Sequence, residues 1–206
     1  TLKVSPGLSI SIFAEGVETA RGMTLGADGT VFVGSQNEGV VYALKDQDGD
    51  GKADSRRLIA KGLEGPAGVA VIADDLFVAD MNRILFYRGA AGSNAGEIKP
   101  EVIFDGFPKD HMHAWKYLKI GPDGMLYTAI GVPCNSCRVE HPLHGRLVRM
   151  NRDGTGLEIL ASGLRNSVGF DWDPQHESLW LTDNGRDWLG DDRPPDELNH
   201  LVQKGT

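Results

Sequence analysis

The sequence predicts an all-β chain, a β-propeller of about four blades, and three observations carry that prediction. The first is a unit that occurs four times, at 22–34, 68–79, 118–129 and 169–182. Each copy is a short apolar strand, a tight turn carrying Asp, with Gly or Pro beside it in all but the second copy, and a second apolar strand. The second observation is spacing. The aromatic residues of the second strands, Phe32, Phe77, Tyr127 and Trp180, lie 45, 50 and 53 residues apart, which suits one four-stranded blade plus its loops. The third is punctuation: 27 glycines and 10 prolines supply the turns that many short strands need. No segment keeps a 3.6-residue apolar period, so helices do not carry the fold. A β-sandwich would also be all-β, but it does not require the same hairpin four times.

The blades follow in order. The first, at 8–60, turns at Asp28-Gly29, where Gly supplies the positive φ that tight hairpins need. Gly39–Leu44 and Arg57–Ile59 are its third and outer strands. The second, at 61–104, adds Arg83–Tyr87 and Glu101–Phe104. The third, at 113–161, turns at Asp123-Gly124 and adds Gly145–Met150 and Leu157–Leu160. The fourth, at 162–206, ends in Asn199–Thr206 without clear third and fourth strands. The chain is therefore read as an incomplete ring, the N-terminal part of a larger propeller.

Composition bounds the partners. With 40% hydrophobic residues the chain can bury a sizeable core. A formal net charge of −8 argues against nucleic acid or an anionic membrane as the main partner. No apolar run approaches the ~18 residues of a membrane span. The chain opens on Thr1 rather than Met, as a mature or clipped product would, so a missing leader says nothing about compartment.

The sharpest local motif is Asp46-Gln-Asp-Gly-Asp-Gly-Lys-Ala-Asp54. Asp46, Asp48 and Asp50 take positions one, three and five of a calcium loop, and Gly51 takes the sharp turn at six. Lys52 would offer a carbonyl at seven and Asp54 a carboxylate at nine. Carboxylates this close repel one another unless a hard cation gathers them. Arg57 stands where a bidentate Glu would complete an EF-hand, and a solvated acidic turn is the alternative.

Three further segments carry candidate chemistry. His113, in Asp110-His-Met-His-Ala-Trp115, precedes the inner strand of the third blade. It is either a surface residue or a general base whose pKa lies near neutrality. Cys134-Asn-Ser-Cys137 holds both cysteines, and Arg138 follows where a c-type haem would need His. A small disulfide in an exported protein is preferred. A zinc site with His141 and His144 would need a very short loop, and a redox centre would want a helix N-terminus. Arg165 and Asn166 open the fourth blade much as His113 opens the third; a salt bridge and a turn are the plainer roles. The connection at 183–199 is long, acidic and stiffened by Pro194-Pro195, and connections of that length usually bind something.

Together these segments resemble the pyrroloquinoline quinone (PQQ) dependent soluble glucose and sorbosone dehydrogenases, which are six-bladed propellers. The resemblance spans nearly the whole chain from the first blade onward. It rests on three stretches in order: His113 with Gly121-Pro-Asp-Gly-Met-Leu-Tyr127, then Gly163-Leu-Arg-Asn166, then Asn184-Gly-Arg186 with Asp196-Glu-Leu-Asn199. It implies about four blades of a six-bladed ring. It also implies that His113 takes the proton from the sugar hydroxyl while hydride passes from the same carbon to the quinone. Arg165 would stabilise negative charge growing on the cofactor oxygens. Asn166, Asn184 and Gly185 would contact PQQ, and backbone carbonyls of Gly185 and Arg186 would hold the Ca²⁺ that chelates it. The chemistry would belong to the quinone, with the protein positioning and polarising it.

The chain departs from that family in three places. Ser167 replaces the Pro of Arg-Asn-Pro, Arg186 replaces the Pro of the calcium loop, and Val132 replaces the acidic residue of glucose-oxidising members. These departures bear on the substrate more than on the cofactor. The residues that clamp the PQQ carboxylates lie on later blades, so this chain alone is expected to be inactive. The implied activity is PQQ- and calcium-dependent oxidation of aldoses or related aldehydes by the intact parent protein. That protein would be periplasmic or secreted and would pass electrons to an external acceptor such as a cytochrome. The competing reading is a non-catalytic, calcium-stabilised propeller that binds carbohydrate or protein. A metal-dependent lactonase propeller would need acidic and Asn ligands converging on the axis, a set less clear here than the His–Arg pair.

Overall fold

A computed structural model describes residues 3–92 and 98–202. Among them the chain forms strands and no helix, arranged as four antiparallel sheets. The first sheet is β1 (Ala20–Leu25), β2 (Val31–Ser35), β3 (Val41–Lys45) and β4 (Ser55–Ala60). The second is β5 (Gly68–Ile72), β6 (Asp75–Asp80), β7 (Arg83–Tyr87) and β8 (Glu101–Phe104). The third is β9 (Leu118–Ile120), β10 (Leu126–Ile130), β11 (Arg146–Met150) and β12 (Glu158–Ser162). The fourth is β13 (Gly169–Trp172), β14 (Leu179–Asp183) and β15 (Glu197–Leu201). Each sheet is a meander in chain order, and the four are propeller blades.

The fourth blade corrects one expectation. It has a third strand, β15, paired with β14 from Leu179↔Leu201 to Asp183↔Glu197. Its sequence, Glu-Leu-Asn-His-Leu, reads as loop because none of its residues is buried and three of the five are exposed. What makes it a strand is the ladder and the stacking of His200 on Trp180, ring centroids 4.1 Å apart. Residues 203–206, at the end of the predicted fourth blade, lie outside the described residues.

The hairpins form for the local reasons anticipated. Gly29 has φ of 83°, the Thr30 amide donates to Asp28 Oδ1 at 3.0 Å, and the Gly26 amide donates to the Thr30 carbonyl at 2.8 Å. The third blade repeats the device, with Gly124 at φ 76° and the Met125 amide on Asp123 Oδ1 at 3.0 Å.

Packing between blades makes the core. Side chains alternate across a strand, and here both faces find a partner. In β6, Leu76 and Val78 pack with Phe32 and Val41 of the first blade, while Phe77 and Ala79 pack with Leu118, Leu126 and Val148 of the third. In β10, Leu126 and Ile130 face the second blade, and Tyr127 and Ala129 face Phe170, Leu179 and Leu181 of the fourth. Burying each such Leu, Ile, Val or Phe side chain stabilises the fold by ~1.5–3 kcal/mol. β14 alternates instead: Leu179 and Leu181 are buried, while Trp180 is 38% exposed.

Glycines set how closely the blades approach. Gly22 pairs with Gly34 across β1 and β2. A Cβ on Gly22 would overlap the Ala67 carbonyl oxygen, and one on Gly34 would overlap that of Pro66. The inner strands consequently lie side by side, β1 against β5 and β5 against β9. The four blade entrances converge on a cavity of about 390 Å³, lined by Arg21, Ala67, Trp115, Lys116, Asn166 and Val168 among others. Lys116 is buried, and its Nζ donates to the carbonyls of Met81 and Ala114. Burial pushes its pKa down to about 8, against the opposing pull of Asp80. No helix among the described residues is long and apolar enough to cross a membrane.

Two stability predictions follow from this packing. Gly22→Ala should cost about 3 kcal/mol in urea unfolding, since backbone rather than a movable side chain blocks the new methyl; wild-type stability would refute the close approach. Lys116 titrates near ~10.4 when unfolded and at about 8 when folded. Across that window the unfolded chain binds more protons, so stability should rise with pH by at most ~1.4 kcal/mol per unit. Below the window the effect vanishes. Lys116→Met should lack the rise, and parallel pH curves for the two proteins would contradict it.

Candidate functional site

Loops at the entrances of the third and fourth blades gather most of the singled-out residues. His113 is half-buried with φ of 53°, a left-handed backbone that non-glycine residues rarely adopt. Its Nδ1 lies 2.8 Å from the Val132 carbonyl. A carbonyl only accepts, so Nδ1 carries the hydrogen and the neutral ring keeps its lone pair on Nε2. The Val132 amide donates in turn to the Arg165 carbonyl at 2.9 Å. The main-chain amide and carbonyl of one residue, Val132, thereby join His113 to Arg165. Gly131 makes room beside it: a Cβ there would lie 2.8 Å from the His113 carbonyl oxygen and 3.2 Å from Asn166 Oδ1.

The loop that opens the fourth blade is held by a buried carboxylate. Asp183 is 6% exposed and accepts from the Arg165 amide at 2.8 Å, the Asn166 amide at 2.7 Å and Ser167 Oγ at 3.0 Å. Ser167, which stands where the resemblance expects Pro, thus contributes a hydrogen bond that Pro could not. The second blade uses the same device: Asp80, also buried, accepts from the Glu64 amide at 2.6 Å and pairs with Arg83 at 2.8 Å. Both aspartates end the second strand of their blade.

The Arg165 side chain ties three loops together. Nε donates to the Asn135 carbonyl at 3.2 Å, Nη1 to the Asn184 carbonyl at 3.2 Å, and Nη2 to Asn135 Oδ1 at 2.8 Å and Asp187 Oδ2 at 3.0 Å. Of five donors, one Nη1–H is left over among the described residues. The Asn184 amide donates to the Asn166 carbonyl at 3.2 Å.

Arg165, Asn184, Gly185 and Arg186 line one cavity of about 340 Å³, together with Asp183, Pro194, Pro195 and Glu197. The Gly185 amide donates to Asp196 Oδ1 at 2.8 Å, and a Cβ on Gly185 would lie 3.0 Å from the Pro195 carbonyl oxygen. The acceptors here are carboxylate and carbonyl oxygens, the donor set a hard divalent cation takes. Asn166 instead lines the cavity between the blade entrances. The structure thus links His113, Asn166 and Arg165 through backbone but sets Asn166 and Arg165 on different cavities.

The acidic loop lies elsewhere, between β3 and β4. Asp46, Asp48 and Asp50 bring one carboxylate oxygen each within 4.8 Å of one another. The Gly49 and Gly51 amides donate to Asp46, and the Lys52 amide to Asp50 Oδ1 at 2.8 Å. Asp54 stands outside this trio, accepting from the Gln47 amide at 2.6 Å. Cys134 and Cys137 form a disulfide, with Cα atoms 6.1 Å apart.

Four residues of the site escaped the sequence reading: Gly131, Asn135, Asp183 and Asp187. Asp183 had a usable signal, since Asp80 occupies the same place in the repeat. Asn135 and Asp187 had none, because their partners are each other and Arg165.

Fold and site define a β-propeller segment whose loops converge on a half-buried histidine, a buried carboxylate and a cavity of mixed polar and apolar lining. The chain belongs to the family described as Domain of unknown function (DUF7133), whose model matches residues 2–202. An uncharacterized protein of Borreliella burgdorferi is 30% identical over 216 residues, covering 98% of this chain and 54% of that protein. Among solved structures, the iodide structure of a Trichoderma reesei carbohydrate-active enzyme of family AA12 matches 93% of this chain and 53% of its own, with TM-score 0.75 and 18% identity. The holo form of the pyranose dehydrogenase PQQ domain from Coprinopsis cinerea matches 92% and 52%, with TM-score 0.73 and 14% identity. The PQQ-bound aldose sugar dehydrogenase of Streptomyces coelicolor matches 95% and 63%, with TM-score 0.72 and 21% identity. At such identities the likeness establishes the propeller fold. The chain spans about half the length of the Borreliella protein and of the two fungal structures.

Asp183→Ala should destabilise the protein by about 3 kcal/mol, because two amides and a buried hydroxyl lose their acceptor together. Urea unfolding measures it. A loss below about 1 kcal/mol would mean that water replaces the carboxylate.

Proposed function

We propose that this chain is part of a PQQ- and calcium-dependent dehydrogenase that oxidises aldoses or related aldehydes, with His113 as its base. One observation carries the reading: the Val132 carbonyl orients His113 so that the neutral ring carries its lone pair on Nε2, and the Val132 amide ties the same residue to the Arg165 carbonyl. The names of two similar structures, a pyranose dehydrogenase PQQ domain and a PQQ-bound aldose sugar dehydrogenase, support it. When bound, PQQ with its Ca²⁺ would supply the two-electron, hydride-accepting chemistry. The chain's own residues do the rest. His113 takes the substrate hydroxyl proton at Nε2. Arg165 offers its charge and its remaining Nη1–H to negative charge that develops nearby. Asn184 and Gly185, with Asn166 from the neighbouring cavity, would contact the cofactor, and the Gly185 and Arg186 carbonyls would hold its cation.

Asp46, Asp48 and Asp50, with Lys52 and Asp54, take a second, structural Ca²⁺. The rest of the protein completes a six-bladed ring and supplies the missing cofactor clamps. An external acceptor such as a cytochrome receives the electrons. The Cys134–Cys137 disulfide fits an oxidising compartment, so the protein works in the periplasm or outside the cell. A second reading, a non-catalytic calcium-stabilised propeller that binds carbohydrate or protein, draws support from Arg165, whose donors mostly serve neighbouring loops.

The test uses the complete protein with PQQ, Ca²⁺, a panel of aldoses and a dye acceptor. Dye reduction should need both cofactors, and His113→Ala should slow it ~10²–10⁴-fold. No PQQ spectral shift, with sugar binding that survives His113→Ala, would establish the binding propeller instead.

A further inference from the structure

We propose that Asn135 is the positioning residue for Arg165 and for the 184–187 segment, and that the Cys134–Cys137 ring is what holds it there. The clamp itself is a matter of contacts; its purpose, to align a cofactor cradle, rests on the dehydrogenase reading above.

Asn135 sits inside the four-residue ring closed by the disulfide. Its Nδ2 donates to the Asp187 carbonyl at 3.1 Å, and the Asp187 amide donates back to Oδ1 at 2.9 Å. Across 52 residues of sequence the two make a closed, two-point pair. Arg165 then adds two donors to the same residue, Nη2 to Oδ1 and Nε to the main-chain carbonyl. Asn135 thus meets Arg165 with both side chain and backbone, so the orientation of one sets that of the other.

The consequence falls on Gly185 and Arg186. Asn184 is held by Arg165 Nη1, and Asp187 by Arg165 Nη2 and Asn135. The two residues between them, whose carbonyls face the proposed cation role, are pinned at both ends. Without the Asn135 side chain, Arg165 would keep two main-chain carbonyls, those of residues 135 and 184, and an ion pair to Asp187, whose side chain is 64% exposed. An ion pair with one partner so open to water holds geometry weakly. The ring is also too small to act mainly as a global staple, since the unfolded-chain entropy a disulfide removes grows with loop length. What it restricts is the local backbone of Asn135.

The experiment uses the complete protein and three variants: Asn135→Ala, Asn135→Asp, and Cys134→Ser with Cys137→Ser. Hydrogen exchange is followed across all blades, and PQQ affinity is read from the quinone absorbance. Asn135→Ala and the double Ser variant should speed exchange at 183–188 roughly tenfold or more while β5–β8 keep their protection. Both should weaken PQQ binding by a similar factor. Asn135→Asp keeps the acceptor oxygen for Arg165 and for the Asp187 amide but loses the Nδ2 donor to the Asp187 carbonyl, so it should recover at most part of both signals. Unchanged exchange at 183–188 in the double Ser variant would overturn the role of the ring. Exchange at 183–188 in Asn135→Ala no faster than in the wild type, or faster exchange spread evenly over the blades, would overturn positioning. If the wild-type protein binds no PQQ, the dehydrogenase reading falls, while the exchange data still decide the clamp.

Discussion

Burial of both faces of the central strands is the constraint on which the rest depends. In β6 and β10, alternate residues pack into two different cores, so each blade is held at a set distance from both neighbours. A strand buried on both faces cannot slip by one residue without exchanging the two sets, so its register is strongly specified. Gly22 and Gly34 then allow the backbone of the next blade to come within van der Waals contact. Stacking at that separation brings the blade entrances to one place. Loop chemistry is a consequence of core packing.

Buried aspartates carry that order into the loops. Asp80 and Asp183 stand at the ends of β6 and β14, where the core ends, and turn inward to accept backbone amides of the preceding loop. A carboxylate buried this way is stable because several donors meet it at once. In the fourth blade the loop so held carries Arg165 and Asn166. Arg165 then reaches outward, with its remaining donors spread over the disulfide loop and the 184–187 segment. The path from core to candidate site is thus short: strand, aspartate, loop, guanidinium.

Much of the fold was legible in the chain, and for local reasons. Asp28-Gly29 and Asp123-Gly124 form the turns their chemistry predicts, because a short Asp side chain and a Gly at positive φ suffice. The strand β7 is found where its apolar run lies. β15 was missed, since neither face of Glu197–Leu201 is deeply buried and its pattern carries little apolar signal. The site was legible in its residue types more than in its contacts. His113, Arg165 and Asn166 stood out, whereas Val132 drew notice for its side chain and acts through its main-chain amide and carbonyl.

The sequence by itself determined the repeated hairpins and the acidic loop, because each depends on residues close together in the chain. The structure decided between a disulfide and a metal site for the two cysteines and buried the central strands on both faces. Tertiary structure alone decided that residues 113, 131–132, 135, 165–166 and 183–187 form one network. Most of its links are hydrogen bonds with main-chain amides and carbonyls. Every residue carries those groups, so composition and spacing cannot mark them, and only the stacking of the third and fourth blades brings them together.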